Sequence, residues 1–73
     1  MNYIVIELQT SGGVTSNIAT TFDDRNAAES KFHQILSSAA TSNVETHAAV
    51  MLSEDGSPVR YEFYSHEVIN DAD

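Results

Sequence analysis

Apolar and polar residues alternate along several stretches of the chain, and a period of two is typical of strands with one buried face. The first predicted strand runs from Asn2 to Gln9, and Ser11-Gly12-Gly13 then predicts a hairpin turn. The remaining predicted strands cover Val14 to Phe22, Glu45 to Leu52 and Val59 to about His66. Asp-Gly and proline within residues 53–58 predict a turn before the fourth strand.

The spacing of apolar residues changes to that of a helix between the second and third strands. Phe32, Ile35 and Leu36 recur on one helical face, which predicts a helix from Arg25 to about Thr41. Asp24 is the expected N-cap, because its carboxylate accepts free amide protons at the positive end of the helix dipole. Two alternatives for the start remain, namely Asp23 and the pair Asn26 and Glu29. The expected stop is at Ser42-Asn43, since asparagine tolerates the left-handed conformation.

This order of elements predicts an α+β fold. Its form is a two-layer ββαββ sandwich, a four-stranded antiparallel sheet with one helix packed on one face. A chain of 73 residues encloses one core, so 1–73 is expected to be a single domain, with a frayed acidic tail at 67–73. The helix crossover leaves the strand order open. The helix is expected to pack against the following sheet residues: Ile4, Ile6, Leu8, Ile18 and Phe22.

The second face of the predicted sheet has no partner within the chain, and it is more apolar than a solvated face requires. Contiguous exposed apolar area often marks an interaction site. We therefore expect this face to bind another copy of the chain, as a homodimer, or another protein. The residues predicted for this interface are Tyr3, Val5, Ala19, Ala49, Met51 and Tyr64.

Charge and cysteine content narrow the classes of partner. Eleven acidic and three basic residues give a formal net charge of −8, which repels phosphate backbones and anionic lipids. We therefore expect no direct binding to nucleic acid or to a membrane. The absence of cysteine removes disulfides, thiolate metal sites and thiol nucleophiles, and it suits a reducing cytoplasm.

No pattern in the chain points to catalysis or to a cofactor. His33, His47 and His66 lie on different predicted elements without a metal-ligand spacing, so we predict no metal site. No Gly-x-Ser-x-Gly turn is present, and Gly12-Gly13 lacks the lysine and following helix of a phosphate-binding loop. The sequence therefore predicts a non-enzymatic protein without a cofactor.

Three stretches of the chain carry a resemblance. They are the first strand at residues 3–10, the start of the helix at residues 24–33, and the third strand at residues 47–52. In these stretches the chain resembles small uncharacterised proteins of prophages and tailed phages of Gram-positive bacteria. The resemblance implies a phage accessory or structural role, in the cytoplasm of an infected cell or in the particle. The alternative function is inhibition of a host defence or nucleic-acid-handling enzyme, in which surface carboxylates imitate the phosphates of DNA.

Overall fold

A computed structural model describes residues 1–42 and 44–66 and confirms the predicted α+β fold. Its elements are β1 (Tyr3–Ser11), β2 (Val14–Phe22), α1 (Arg25–Thr41), β3 (Thr46–Ser53) and β4 (Pro58–Ser65). The four strands form one antiparallel sheet in the order β2-β1-β3-β4, so the two hairpins meet along β1 and β3. The expected acidic tail at 67–73 and the expected left-handed Asn43 lie outside the described residues.

The first hairpin closes through the predicted glycine pair. Gly12 and Gly13 have φ angles of 61° and 78°, a conformation that other residues rarely adopt. The two-residue loop places Ser11 opposite Val14, and this register continues to Tyr3 opposite Phe22. Odd-numbered residues of β1 therefore share a face of the sheet with even-numbered residues of β2.

The helix has the predicted bounds and the predicted N-cap. The Asp24 carboxylate accepts the backbone N–H of Asn26 at 3.2 Å, and the Asp24 carbonyl accepts that of Ala28 at 3.1 Å. At the other end Ser42 is extended, and its N–H donates to the carbonyl of Ala39 at 3.3 Å. These bonds use backbone groups that the first and last turns otherwise leave without partners.

The core lies between α1 and the β1–β3 seam of the sheet. Phe32 and Ile35 from the helix pack with Val5, Ala49 and Met51 from the sheet, and each of these side chains is buried. Burial of a side chain as large as that of Phe32 stabilises the fold by about 1.5–3 kcal/mol. The helix thus sits on the odd-numbered side of β1 and β3.

The predicted packing of the helix on Ile4, Ile6 and Leu8 was wrong. The register of the first hairpin places these residues opposite Thr21, Ala19 and Asn17, on the far side of the sheet from α1. Phe22 does border the core, but Ile18 on the same face lies beyond the helix and is 62% exposed. The predicted set therefore combined residues from two faces, and its aliphatic part lies on the face that the helix leaves uncovered.

Candidate functional site

The sheet surface opposite α1 is the candidate site, and we call it the open face. Side chains alternate along each strand, and paired residues share a face, so the register assigns the members of this surface. Among residues 1–42 and 44–66 no further element is available to lie over it. The open face consists of Ile4, Ile6, Leu8 and Thr10 on β1; Thr15, Asn17, Ala19 and Thr21 on β2; Thr46, Ala48, Val50 and Leu52 on β3; and Tyr61, Phe63 and Ser65 on β4.

Apolar side chains cross the open face in continuous rows. In the central row Ile6 lies between Ala19 and Val50, and Val50 in turn lies opposite Tyr61. Phe63 begins the next row, and its ring stacks on that of Tyr61 with the centroids 5.7 Å apart and the planes 26° apart. Tyr61 and Phe63 are 61% and 46% exposed, so two stacked aromatic rings project from this surface.

No side chain of the open face is charged, although the chain has 14 charged residues. The charged residues and the histidine of the central strands and β4 point to the helix side instead, namely Glu7 on β1, His47 on β3, and Arg60 and Glu62 on β4. Charged residues on a solvated sheet face cost little and favour solubility. A large sheet face without a charged side chain is therefore typical of a surface that binds another molecule.

The helix side shows the opposite pattern, because ion pairs cover its rim. Glu29 accepts a hydrogen bond from Arg60 at 2.9 Å and lies 3.6 Å from the Arg25 side chain and 3.9 Å from that of His33. The Arg60 guanidinium also lies 5.4 Å from the centre of the Phe32 ring. The part of this side that lies under α1 is therefore closed by packing and by charge.

One ionisable pair on the helix side joins a buried histidine to a partly buried carboxylate. His47 is 3% exposed, and its Nε2 lies 2.6 Å from Oε2 of Glu7, which also accepts a hydrogen bond from Gln9 at 3.1 Å. Burial raises the pKa of Glu7, but the hydrogen bonds from His47 and Gln9 and the attraction of His47 and Lys31 together hold that pKa below its ordinary value. His47 Nδ1 has no partner within the described residues. No cavity adjoins this pair among the described residues.

The predicted interface residues do not share one surface. Val5, Ala49 and Met51 are buried in the core, because α1 covers the face to which they belong. Tyr3 packs against the same core, and Tyr64 lies opposite His47 on the helix side at 42% exposure. Of the predicted set only Ala19 lies on the open face, where it is exposed. The placement of the other residues on the uncovered face was wrong.

The residues that the prediction missed are the aliphatic and aromatic members of the open face. Ile6 lies on this face although the sequence predicts that it packs against the helix, and Val50 and Tyr61 lie there although neither belongs to the predicted interface. The signal that separates the faces is the two-residue loop at Gly12-Gly13, since it fixes the register of β1 and β2. The predicted alternation agrees with the observed pairing along β1, β2 and β3, whereas the irregular register at Met51 and Leu52 lets Val59 of β4 pack against the core.

The histidines do not converge on a common point. His33 is on an outer position of α1, His47 is buried on β3, and His66 Nε2 lies 2.8 Å from the carbonyl oxygen of Ala39. In the described part of the chain no group of three or more potential ligands is arranged to hold a metal ion. The described helix is also too short and too polar to cross a membrane.

Comparison with protein-family models, with curated proteins and with solved structures finds no match to this chain. The open face is therefore interpreted from its own residues.

Proposed function

We propose that the chain is a non-enzymatic protein–protein interaction module that self-associates through the open face. The observation that carries this proposal is the absence of charge from the whole face, together with its apolar centre, in a chain with a net charge of −8. Burial of apolar area is the main favourable contribution to association, and the rows through Ile6 and Val50 offer such area on both central strands. A second copy is the occupant to which we commit.

Charge favours a second copy over a basic partner. Two copies that meet through the charged parts of the surface bring carboxylates together, because acidic residues outnumber basic ones eleven to three. Electrostatic repulsion between like charges in an interface makes the free energy of association less favourable by roughly several kcal/mol. The open face is an extended surface without carboxylates, so two copies can meet there without that repulsion. It also offers no carboxylate that could bind a basic protein or imitate the phosphates of DNA.

The size of the open face suits a modest interface. Four strands about 4.8 Å apart, each with about eight residues of about 3.3 Å, give a face with a projected area of roughly 500 Å². A standard interface buries about 800 Å² per partner. The face alone therefore supports association that depends on protein concentration. Small domains commonly gain stability from such contacts.

The phage origin and the cytoplasmic or particle location remain predictions that rest on the resemblance of the three sequence stretches. Self-association is compatible with an accessory or structural role in phage assembly. The proposal of an interaction surface does not depend on that origin.

The test is the mass of the purified protein in native mass spectrometry, with Ile6→Lys as the variant and Ser37→Lys as its control. Both variants add the same charge, but Ile6 lies at the centre of the open face and Ser37 is exposed on α1. We expect the wild type and Ser37→Lys to form oligomers, and Ile6→Lys to lose the contact through the face. Circular dichroism of each variant establishes that it is folded. A folded Ile6→Lys variant with the oligomeric state of the wild type contradicts the proposal.

A further inference from the structure

Strand β2 has apolar side chains that neither the helix nor the open face accounts for. Val14 is 70% exposed and Ile18 is 62% exposed, and both lie on the helix side of the sheet, at its edge. β1 is the neighbour of β2 on one side, and on the other side the described residues provide no strand. Residues 14–22 include no charged residue and no proline. Natural edge strands usually carry such residues to prevent pairing with other chains.

The hairpin register shows which backbone groups of β2 are available. The pair that flanks a two-residue loop is hydrogen-bonded, so Ser11 and Val14 exchange backbone bonds and the pairs alternate from there. The closely spaced pair that follows is Thr10 with Thr15, whose hydroxyl oxygens are 2.8 Å apart. The residues whose N–H and C=O groups point away from β1 are therefore Thr15, Asn17, Ala19 and Thr21.

We infer that β2 pairs antiparallel with β2 of a second copy, so that two sheets join into one continuous sheet of eight strands. Ile18 is the middle residue of β2, and a two-fold axis there pairs Ile18 with its own counterpart. In this register Val14 lies beside Phe22 of the second copy, and Asn17 exchanges backbone hydrogen bonds with its Ala19. The exposed apolar side chains of the strand thus become covered, and its outward backbone groups find partners.

The opposite edge of the sheet is unsuited to this pairing. β4 begins with Pro58, carries Arg60 and Glu62, and has an irregular register where it meets Met51 and Leu52 of β3. Proline, charge and bulges are the features that block addition of a strand. A head-to-tail contact of β2 with β4 would also continue into an open filament. Pairing of β2 with itself closes the assembly.

The edge contact complements the proposed function without depending on it. A strand edge about 30 Å long and about 10 Å deep adds roughly 300 Å² per copy, which with the open face reaches the size of a standard interface. Stacking of two eight-stranded sheets through their open faces, with the helices outside, gives a tetramer. Only this stacking rests on the proposed function.

The experiment removes the face contact first and then tests the edge by native mass spectrometry. We expect Ile6→Lys to halve the mass of the tetramer and leave a dimer joined through β2. Asn17→Pro in the Ile6→Lys protein removes an outward N–H and is expected to halve the mass again. The control is Asn17→Ala in the same protein, which also removes the amide side chain but keeps the N–H, and we expect it to remain dimeric.

A second measurement needs no substitution in β2. Backbone amide exchange by NMR on the Ile6→Lys protein is expected to show the amides of Asn17 and Ala19 as protected as that of Ile18, which faces β1. An Ile6→Lys monomer with rapid exchange at Asn17 and Ala19 overturns the edge inference and leaves the proposed function intact. A wild-type dimer that Ile6→Lys leaves unchanged and Asn17→Pro dissociates supports the edge and contradicts the proposed function.

Discussion

Val5 and Ile6 are adjacent on β1, yet the structure predicts that truncating them has different consequences. Val5 is 1% exposed beneath α1, whereas Ile6 lies on the open face and is partly exposed. Val5→Ala removes two buried carbon atoms and leaves a cavity, so we expect the free energy of unfolding to fall by about 2–3 kcal/mol. This loss should be the same at every protein concentration, because the Val5 side chain has no part in association.

Ile6→Ala removes one carbon atom more than Val5→Ala, but Ile6 is partly exposed in the isolated chain, so the change leaves no enclosed cavity. At dilutions where the protein is monomeric we expect a loss of about 1 kcal/mol, because the side chain is already partly solvated. At higher concentrations a second copy covers Ile6, and the loss should grow. Stability of an associating protein rises by up to about 1.4 kcal/mol for each tenfold increase in concentration, and Ile6→Ala should weaken this dependence.

The assay is urea-induced unfolding followed by circular dichroism, for the wild type and both variants, over about a hundredfold range of protein concentration. A larger loss of unfolding free energy for Ile6→Ala than for Val5→Ala in the most dilute samples contradicts the placement of these residues on opposite faces. A loss for Ile6→Ala that is the same at all concentrations contradicts the covering of Ile6 by a second copy.

Three further predictions concern the hairpin, the cap and the buried carboxylate. Asp24→Ala should lower the free energy of unfolding by about 1 kcal/mol in urea denaturation, since the Asn26 N–H loses its acceptor. Gly12→Val should cost about 1–2 kcal/mol in the same assay because of the positive φ, whereas Gly12→Asn should be nearly neutral. The folded-state pKa of Glu7 lies below its ordinary value of 4.5, so its contribution to stability is complete above pH 4.5 and is lost as the pH falls through the lower folded-state pKa. Glu7→Gln should make the free energy of unfolding depend less on pH below about pH 4.5. An unchanged pH dependence contradicts a lowered pKa of Glu7 in the folded protein.

The elements were predictable because each has a strong local signal. The period of two and the helical spacing come directly from side-chain geometry, and Asp24 and Gly12-Gly13 mark boundaries through backbone hydrogen bonding and positive φ. The helix bounds and the fold class follow from these local signals alone. The strand order β2-β1-β3-β4 does not, since the crossover through α1 permits more than one arrangement.

The side of the sheet that α1 covers was not predictable from hydrophobicity. The more aliphatic side of β1 is the one that remains open, because Ile4, Ile6 and Leu8 lie there, whereas Val5 shares the helix side with Glu7. The helix occupies the side where small residues permit close approach, since Ala28 of α1 and Ala49 of β3 are both fully buried in the core. Such complementarity depends on the position of the helix relative to the sheet, so the period of a strand cannot reveal it.

Sedimentation equilibrium of the wild-type protein at several salt concentrations tests whether the open face brings copies of the chain together. Each copy has a net charge of −8, so salt should screen the repulsion between copies while leaving an apolar contact intact. We predict an average mass that is above that of the monomer and rises with protein concentration. We also predict that association becomes stronger as the salt concentration rises from about 0.05 M to about 0.5 M. A monomer at every protein and salt concentration contradicts association through the open face.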